Sequence, residues 1–453
     1  MVLSEVFDCF SQQSPVCVMA RAAMENVLAP ERLDALFART AVRQRPSELL
    51  FSAVADLMGL VVCRIRPSMH AAFQAGDVGV TIKALYDKVK RIEPAVSRAM
   101  VRDTAQRMAR IVEQMGGQLP ELLPGWRTKI LDGNHLHRSQ RRLKVLRSKN
   151  VAPLPGLSLV VLDPALMLAV DVFPCTDGHA QERSSLPQVL ETVEAADLWI
   201  ADRNFCTTGF LSGIAERNAC FIIRQHAGIV SYELLGKAQK IGRTATGTAY
   251  EQPMHIQRSD GPPLVVRRVT LHLDDPTGNG DDEIHLLTNL PAAITATTVA
   301  DVYRKRWTVE SAFQEMEAYL DGEVETLGYP QAALFAFCLA LVSYNVLSLL
   351  KAALRAAHGV ERIQAEVSGY YLADEVAGTW RGMGIILPPE YWSERFGRQT
   401  PSAMATFLVR MAKRVRLEAF RKHARGPKNK RKSPSKAQRS HASTQRLLEV
   451  NRN

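Results

Sequence analysis

Thr128-Lys-Ile-Leu-Asp132-Gly133 is a short apolar run that ends on an acid and a glycine, and Leu198-Trp-Ile-Ala-Asp202 repeats the pattern further along. Both read as strands, and near-continuous apolar runs of this kind suit strands covered on both faces. Between them, Leu157-Ser-Leu-Val-Val-Leu and Leu166-Met-Leu-Ala-Val-Asp-Val-Phe173 flank a turn at Asp163-Pro164 and read as a hairpin. Helical sequence runs from about Leu186 to Ala196. Thr207 to Asn218 reads as a second helix and Cys220-Phe-Ile-Ile-Arg224 as a fifth strand. The order is three strands, helix, strand, helix, strand. A sheet ordered 3-2-1-4-5 makes the first and fourth strands parallel neighbours. Asp132 and Asp202 then share the C-terminal edge, roughly 4.8 Å apart at the backbone. Ligands collect at that edge in open α/β sheets. Two carboxylates so close repel each other unless a cation lies between them, and oxygen ligands select Mg2+ or Mn2+.

A third acid comes from Tyr303-Arg-Lys-Arg306-Trp307-Thr-Val-Glu310-Ser-Ala-Phe313-Gln-Glu-Met-Glu317. The stretch reads as one helix, capped at Thr297 or Thr298 and uninterrupted until Gly322. At about 100° per residue, Tyr303, Arg306, Glu310 and Glu317 fall within roughly 60° of one another. Val302, Val309, Phe313, Met316 and Leu320 form an adjoining apolar stripe. Two strand ends and one helix edge thus carry three acids, enough to hold two divalent ions roughly 3.5–4 Å apart. Such ions activate a water or a 3′-hydroxyl and stabilise the leaving oxygen at a phosphodiester. Arg306 suits a forked clamp on a phosphate. Tyr303 can hydrogen-bond a phosphate, and Trp307 either packs beside a displaced base or fills the core.

These residues resemble the motifs of DDE transposases of the insertion-sequence four family. That family carries Asp-Gly on the first strand, Asp-Arg-x-x-Phe after the fourth, and a Tyr-x2-Arg-x3-Glu-x6-Lys signature. Here they stand as Asp132-Gly133, Asp202-Arg203-Asn-Phe205 and Tyr303-x2-Arg306-x3-Glu310, and the Arg306-Trp307 pair also matches. The resemblance covers most of the chain. It implies an α/β fold: a ribonuclease-H-like catalytic core with a β-rich insertion, flanked by helical N-terminal and C-terminal regions. It implies cut-and-paste transposition by a homodimer that binds double-stranded DNA at terminal inverted repeats, frees the element through hairpinned ends and joins 3′-hydroxyls to target DNA. Asp132, Asp202 and Glu310 become the catalytic and metal-ligating acids for two Mg2+ or Mn2+ ions. Tyr303, Arg306 and Trp307 become candidate DNA contacts, with Arg203 and Arg224 as further ones. One position departs: Glu317 stands where the family has lysine, and an acid there opposes contact with the DNA backbone. Lys305 does not replace that lysine, because it lies roughly 120° around the helix from position 317.

The whole chain agrees with a DNA partner. It has 453 residues and a net charge of +11, with nine Lys or Arg and no acid between Arg421 and Arg439, which leaves +2 for the rest. A basic tail of this kind favours a polyanion. The expected division is a helical DNA-binding region at 1–117, a catalytic core at 118–350 with a β-rich insertion at 229–290, a helical region at 351–424 and a disordered basic tail at 425–453. Lys83, Lys88, Lys90 and Arg91 near a turn suit DNA-end recognition. Arg224, Arg243, Arg258, Arg267 and Arg268 suit a basic face on the insertion. The seven cysteines include no C-x-x-C pair, so free thiols in a reducing, cytoplasmic setting are expected. No secretory signal is evident. Gln331 to Leu350 is long and uncharged, and reads as a buried helix instead of a membrane span. Trp380-Arg-Gly-Met-Gly reads as a loop and Ser402 to Arg425 as a final helix. Two other readings stay open: a ribonuclease-H-like nuclease with another substrate, and a non-catalytic DNA-binding protein derived from a transposase.

Overall fold

The computed structural model describes residues 2–44, 48–76, 78–149, 151–226, 228, 230–278, 280–423 and 441–451. The chain opens on helices α1 (Val2–Gln13), α2 (Pro15–Val27), α3 (Pro30–Thr40), α4 (Phe51–Val62), α5 (Met69–Ala75), α6 (Ile82–Val89) and α7 (Pro94–Met115). Pro at the first position starts α2, α3 and α7, where a missing N–H costs nothing. Gly116 closes α7 at φ +65°, a left-handed conformation that suits glycine.

Strands β1 (Arg127–Leu136), β2 (Ala152–Leu154), β3 (Gly156–Asp163), β4 (Leu168–Cys175), β5 (Asp197–Ala201) and β6 (Cys220–Arg224) follow, with helices α8 (Lys144–Arg147), α9 (Leu186–Leu190) and α10 (Thr208–Glu216) between them. Five of these strands lie in the order β4-β3-β1-β5-β6, which is the expected 3-2-1-4-5 arrangement. β1, β5 and β6 run parallel, while β3 and β4 return antiparallel. The alternation of buried side chains shows why the strands are apolar throughout. Ile130, Leu198, Ile200 and Ile222 enter one core, and Leu131, Trp199, Ala201 and Phe221 enter another on the opposite face.

The β-rich segment does not stand apart as an insertion of its own. β7 (Tyr232–Leu234), β8 (Gln239–Thr244), β9 (Gly247–Ile256), β10 (Leu264–Leu273) and β11 (Glu283–Thr288) extend the same sheet, because β11 pairs with β6. The 274–282 acids lie in the β10–β11 connection, as a hairpin tip would.

Helices α11 (Ala296–Arg304), α12 (Trp307–Tyr319), α13 (Pro330–His358), α14 (Val360–Glu366), α15 (Gly369–Ile386), α16 (Pro389–Trp392) and α17 (Pro401–Ala412) complete the core. α13 is long and apolar enough to cross a membrane, yet its apolar stretch is entirely buried. It lies against α7, α17, α4 and β4. A helix apolar on all sides needs neighbours on all sides, and α13 has them. Helices from both ends of the chain join one face of the sheet in a single continuous core.

Several local expectations change. The 303–317 stretch is two helices, not one. Lys305 and Arg306 form a tight turn whose N–H groups bond Val302 and Tyr303 at 3.0 and 2.9 Å. The helix expected to reach Ala196 stops at Leu190. Trp380 to Gly384 lies within α15, its glycines tolerated inside the helix. The last core helix ends at Ala412 instead of Arg425 and is followed by a short turn of 3-10 helix at Leu417–Phe420. Residues 424–440, most of the expected disordered tail, lie outside the described residues. Beyond them the chain is ordered: β12 (His441–Ser443) pairs parallel with β2 and leads into α18 (Thr444–Val450).

β4 is the edge of the sheet, and a side chain from α13 caps it. Asn345, fully buried, donates from Nδ2 to the Ala169 carbonyl at 2.9 Å and accepts the Ala169 N–H on Oδ1 at 2.7 Å. Asn345→Ala leaves both backbone groups buried and unpaired, with an expected loss of about 2–4 kcal/mol. Urea unfolding measures this. A wild-type midpoint would show that the β4 edge has another partner.

Candidate active site

The register of β1 and β5 builds the site. Leu131 lies opposite Ala201, so the next residues, Asp132 and Asp202, sit side by side where the parallel pairing ends. Asp202 leaves the strand and caps a turn of 3-10 helix at Arg203–Phe205, accepting the Asn204 N–H at 2.7 Å. Glu310 arrives from the first turn of α12. The tight turn at Lys305–Arg306 places the Arg306 guanidinium between the acids. Nη1 lies 3.1 Å from Asp132 Oδ2 and Nη2 lies 2.6 Å from Glu310 Oε1. The Arg306 side chain is 11% exposed.

Burial pushes the Asp132 carboxyl up to about 7. Arg306 and the Gly133 N–H pull it down, and the Asp202 and Glu310 charges push it up further. Burial opposes the Arg306 charge, but Tyr303, Asp132 and Glu310 together hold its pKa above the usual value. Tyr303 is buried, and its phenol is raised to about 12, first by burial. It packs as a partner of Arg306 within the protein. Trp307 is 61% exposed beside the Arg306 guanidinium, which settles its two readings in favour of the surface.

The remaining predicted contacts are placed differently. Arg203 is exposed on the turn after β5. Arg224 is paired with Asp281 of the β10–β11 connection at 2.8 Å. The expected basic face on the β-rich segment is largely neutralised. Arg243 pairs with Asp274, Arg258 with Glu216, and Arg267 with Glu251. Glu317 faces Arg138, from the segment after β1, at 3.5 Å.

One further carboxylate escaped the sequence reading. Glu182, in a turn before α9, lies directly against Gly133, and a Cβ built at position 133 would meet its Oε1 at 1.9 Å. Glu182 also bonds the Asn204 amide and lies 3.8 Å from His135 Nε2. Arg183 holds the Asn204 carbonyl and amide oxygens. Glycine at 133 therefore lets the Glu182 carboxylate lie against the strand end, and a side chain there would have to displace it. No spacing in the sequence marks Glu182, which lies just ahead of the stretch that reads as helical.

A cleft of about 410 Å³ opens on Asp132, Gly133, Glu310, Glu317 and Glu323. A larger cavity lies elsewhere, between α2, α4 and α15. Among the described residues, no three Asp, Glu, His or Cys stand close enough to share a metal ion. The donor set nonetheless fits a hard divalent cation. It is all-oxygen, and burial holds the Asp132 carboxyl up at about 7 even with one guanidinium beside it. An ion would have to take over the two carboxylate partners that Arg306 now holds.

Two acids thus stand on adjacent parallel strand ends and a third on a following helix. Residues 157–346 match the family model described as the transposase DDE domain. That span contains Asp202 and Glu310 and begins after Asp132. The chain carries a DDE transposase domain, and its enzyme class is transposase, which cleaves and joins DNA strands. A comparison with curated proteins gives no match. Among solved structures, the chain is similar to a piggyBac transposase synaptic complex with hairpin DNA seen by cryo-EM. The TM-score is 0.41 and the identity 10%, over 87% of this chain and 85% of that one.

Arg306→Ala leaves two partly buried carboxylates facing each other without their cation. In chelator, denaturant unfolding should show a loss of about 3 kcal/mol. Added Mg2+ should restore more stability to this variant than to wild type, because the ion no longer competes with the guanidinium. Equal responses in the two proteins would show that Arg306 and the ion do not share a place.

Proposed function

We propose that this transposase is of the insertion-sequence four type, with a ribonuclease-H-like core, and that it moves a DNA element by cut-and-paste. The observation that carries the reading is the meeting of Asp132 and Glu310 on one guanidinium, with Asp202 beside them at the edge of parallel strands. The substrates are the element's terminal inverted repeats and target duplex DNA. A homodimer pairs the two ends, and excision passes through hairpinned intermediates. The division into an N-terminal DNA-binding region at 1–117, a core at 118–350, a helical region at 351–424 and a basic segment from 425 belongs to the same proposal. So does a cytoplasmic, nucleoid-associated location in a bacterial cell.

In this reading Asp132, Asp202 and Glu310 hold two Mg2+ or Mn2+ ions, which when bound supply an activated oxygen nucleophile and charge for the leaving oxygen. The chain's own groups do the positioning. Arg306, once released from its carboxylates, has the planar fork that grips a phosphate. Tyr303 limits where the guanidinium can go, because it is buried against it. Trp307 offers an exposed ring at the same edge for stacking on a displaced base. Glu182 holds Asn204, and through it the turn that carries Asp202.

The test is cleavage of duplex DNA bearing the element's ends, with Mg2+ and without. Wild type should nick only with the ion, and Asp202→Ala should fall to background while still binding DNA. Cleavage that survives Asp202→Ala would remove the assigned site. Binding to the ends without cleavage by wild type would favour a non-catalytic descendant.

A further inference from the structure

The basic face expected on the β-rich segment is mostly paired with acids, but a different stretch is not. Directly after β1 the chain runs through Arg138, Arg141, Arg142, Lys144, Arg147 and Lys149, with no acid among them. All six are exposed. Among the described residues, Arg138 is in an ion pair, with Glu317, and that contact is solvent-facing, with both side chains more than half exposed.

This stretch is held in place. The Arg138 N–H donates to Glu323 Oε2 at 2.7 Å, and the Gln140 N–H donates to the Glu325 carbonyl at 2.8 Å. Leu146 is buried, and Leu143 packs so closely on Gly328 that a Cβ there would meet its Cγ at 2.9 Å. Arg141 donates to the Val151 carbonyl and Arg147 to the Arg142 carbonyl, at 3.0 and 2.9 Å. α18 also packs against α8. A run of like charge costs free energy when it is held in one shape, so an anchored one calls for a polyanion opposite it.

Its position says which polyanion. Glu317 and Glu323, which hold Arg138, also line the cleft that opens on Asp132 and Glu310. The cleft is acidic and repels a nucleic-acid backbone. The basic stretch begins at its wall, where Arg138 meets Glu317 and Glu323. We propose that Arg138–Lys149 is the surface on which the phosphate backbone of duplex DNA docks, holding the duplex beside the acidic cleft. This rests on the transposase reading above. Glu317 then serves as an anchor for the basic stretch, and the positive charge that the family resemblance places at 317 is supplied from across the cleft by Arg138 and the residues after it.

The probe is the full chain binding a labelled duplex of random sequence, followed by fluorescence anisotropy across a salt series. Lys144→Ala/Lys149→Ala removes two exposed charges. Its unfolding midpoint should match wild type. Its plot of log affinity against log salt should be shallower by about 1.8, and its affinity near 0.15 M salt weaker on the order of tenfold. Lys144→Glu/Lys149→Glu should weaken binding further. If wild type binds and both variants keep its affinity and salt slope, the docking surface is elsewhere and the transposase reading stands. If wild type itself fails to bind duplex DNA, the transposase reading falls, and this proposal with it.

Discussion

Two parallel strands that run side by side and both end on an aspartate bring two carboxylates together, and a positive charge nearby relieves their repulsion. At a spacing of roughly 4.8 Å the repulsion is about 3–4 kcal/mol at an effective dielectric near 20. The fold meets that constraint with Arg306. The guanidinium reaches Asp132 and Glu310 at once because the chain makes a tight turn at 305–306 and does not continue one helix. Burial outweighs that single charge, and the Asp132 carboxyl stays at about 7. A cluster of oxygen donors of this kind suits a hard divalent cation. The same contact that holds the acids together occupies the carboxylate oxygens that a cation would take.

The rigidity behind this geometry comes from covering the sheet on both faces. Side chains of β1, β5 and β6 alternate between two separate cores. A strand gripped from both sides cannot slip by one residue without exchanging its two faces, so the pairing of Leu131 with Ala201, and with it the placing of the two aspartates, is firmly determined. α13 anchors one side. Phe335 and Phe337 within it are buried, and each contributes about 1.5–3 kcal/mol by that burial. Asn345 lets this apolar helix lie across an open strand edge without leaving the edge unpaired.

What could be read from the sequence follows from range. The five-strand order, and with it the neighbouring strand ends that carry Asp132 and Asp202, was legible because apolar runs ending in acids are local patterns and strand order follows from short connections. The burial of α13 was legible from its composition and its few polar residues. The break at 305–306 was not, because Tyr303 to Glu317 has helical composition throughout and the break serves an ion pair with residue 132, far off in sequence. Glu182 was invisible for the same reason: only the folded chain shows it against Gly133. The β-rich segment was correctly seen as strands. Its joining of the main sheet depended on β11 finding β6, a pairing that no turn signal announces.

Charge was the least legible property, because a formal charge says nothing about its partner. Arg224, Arg243, Arg258 and Arg267 look basic in the sequence and are neutralised in the fold by Asp281, Asp274, Glu216 and Glu251. Surface ion pairs of this kind add little stability, but they remove positive potential from that face. The stretch after β1 keeps its potential because the acids beside it, Glu323 and Glu317, bond a backbone N–H and a single exposed arginine. A cleft that must gather both cations and a polyanion needs the two signs of charge near each other but not paired off. Glu317 lies at that boundary. Facing inward it adds to the acidic wall, and facing outward it tethers Arg138. An acid at this position is therefore compatible with DNA held close to the site, provided that the docking charge lies on the strand exit instead of on α12.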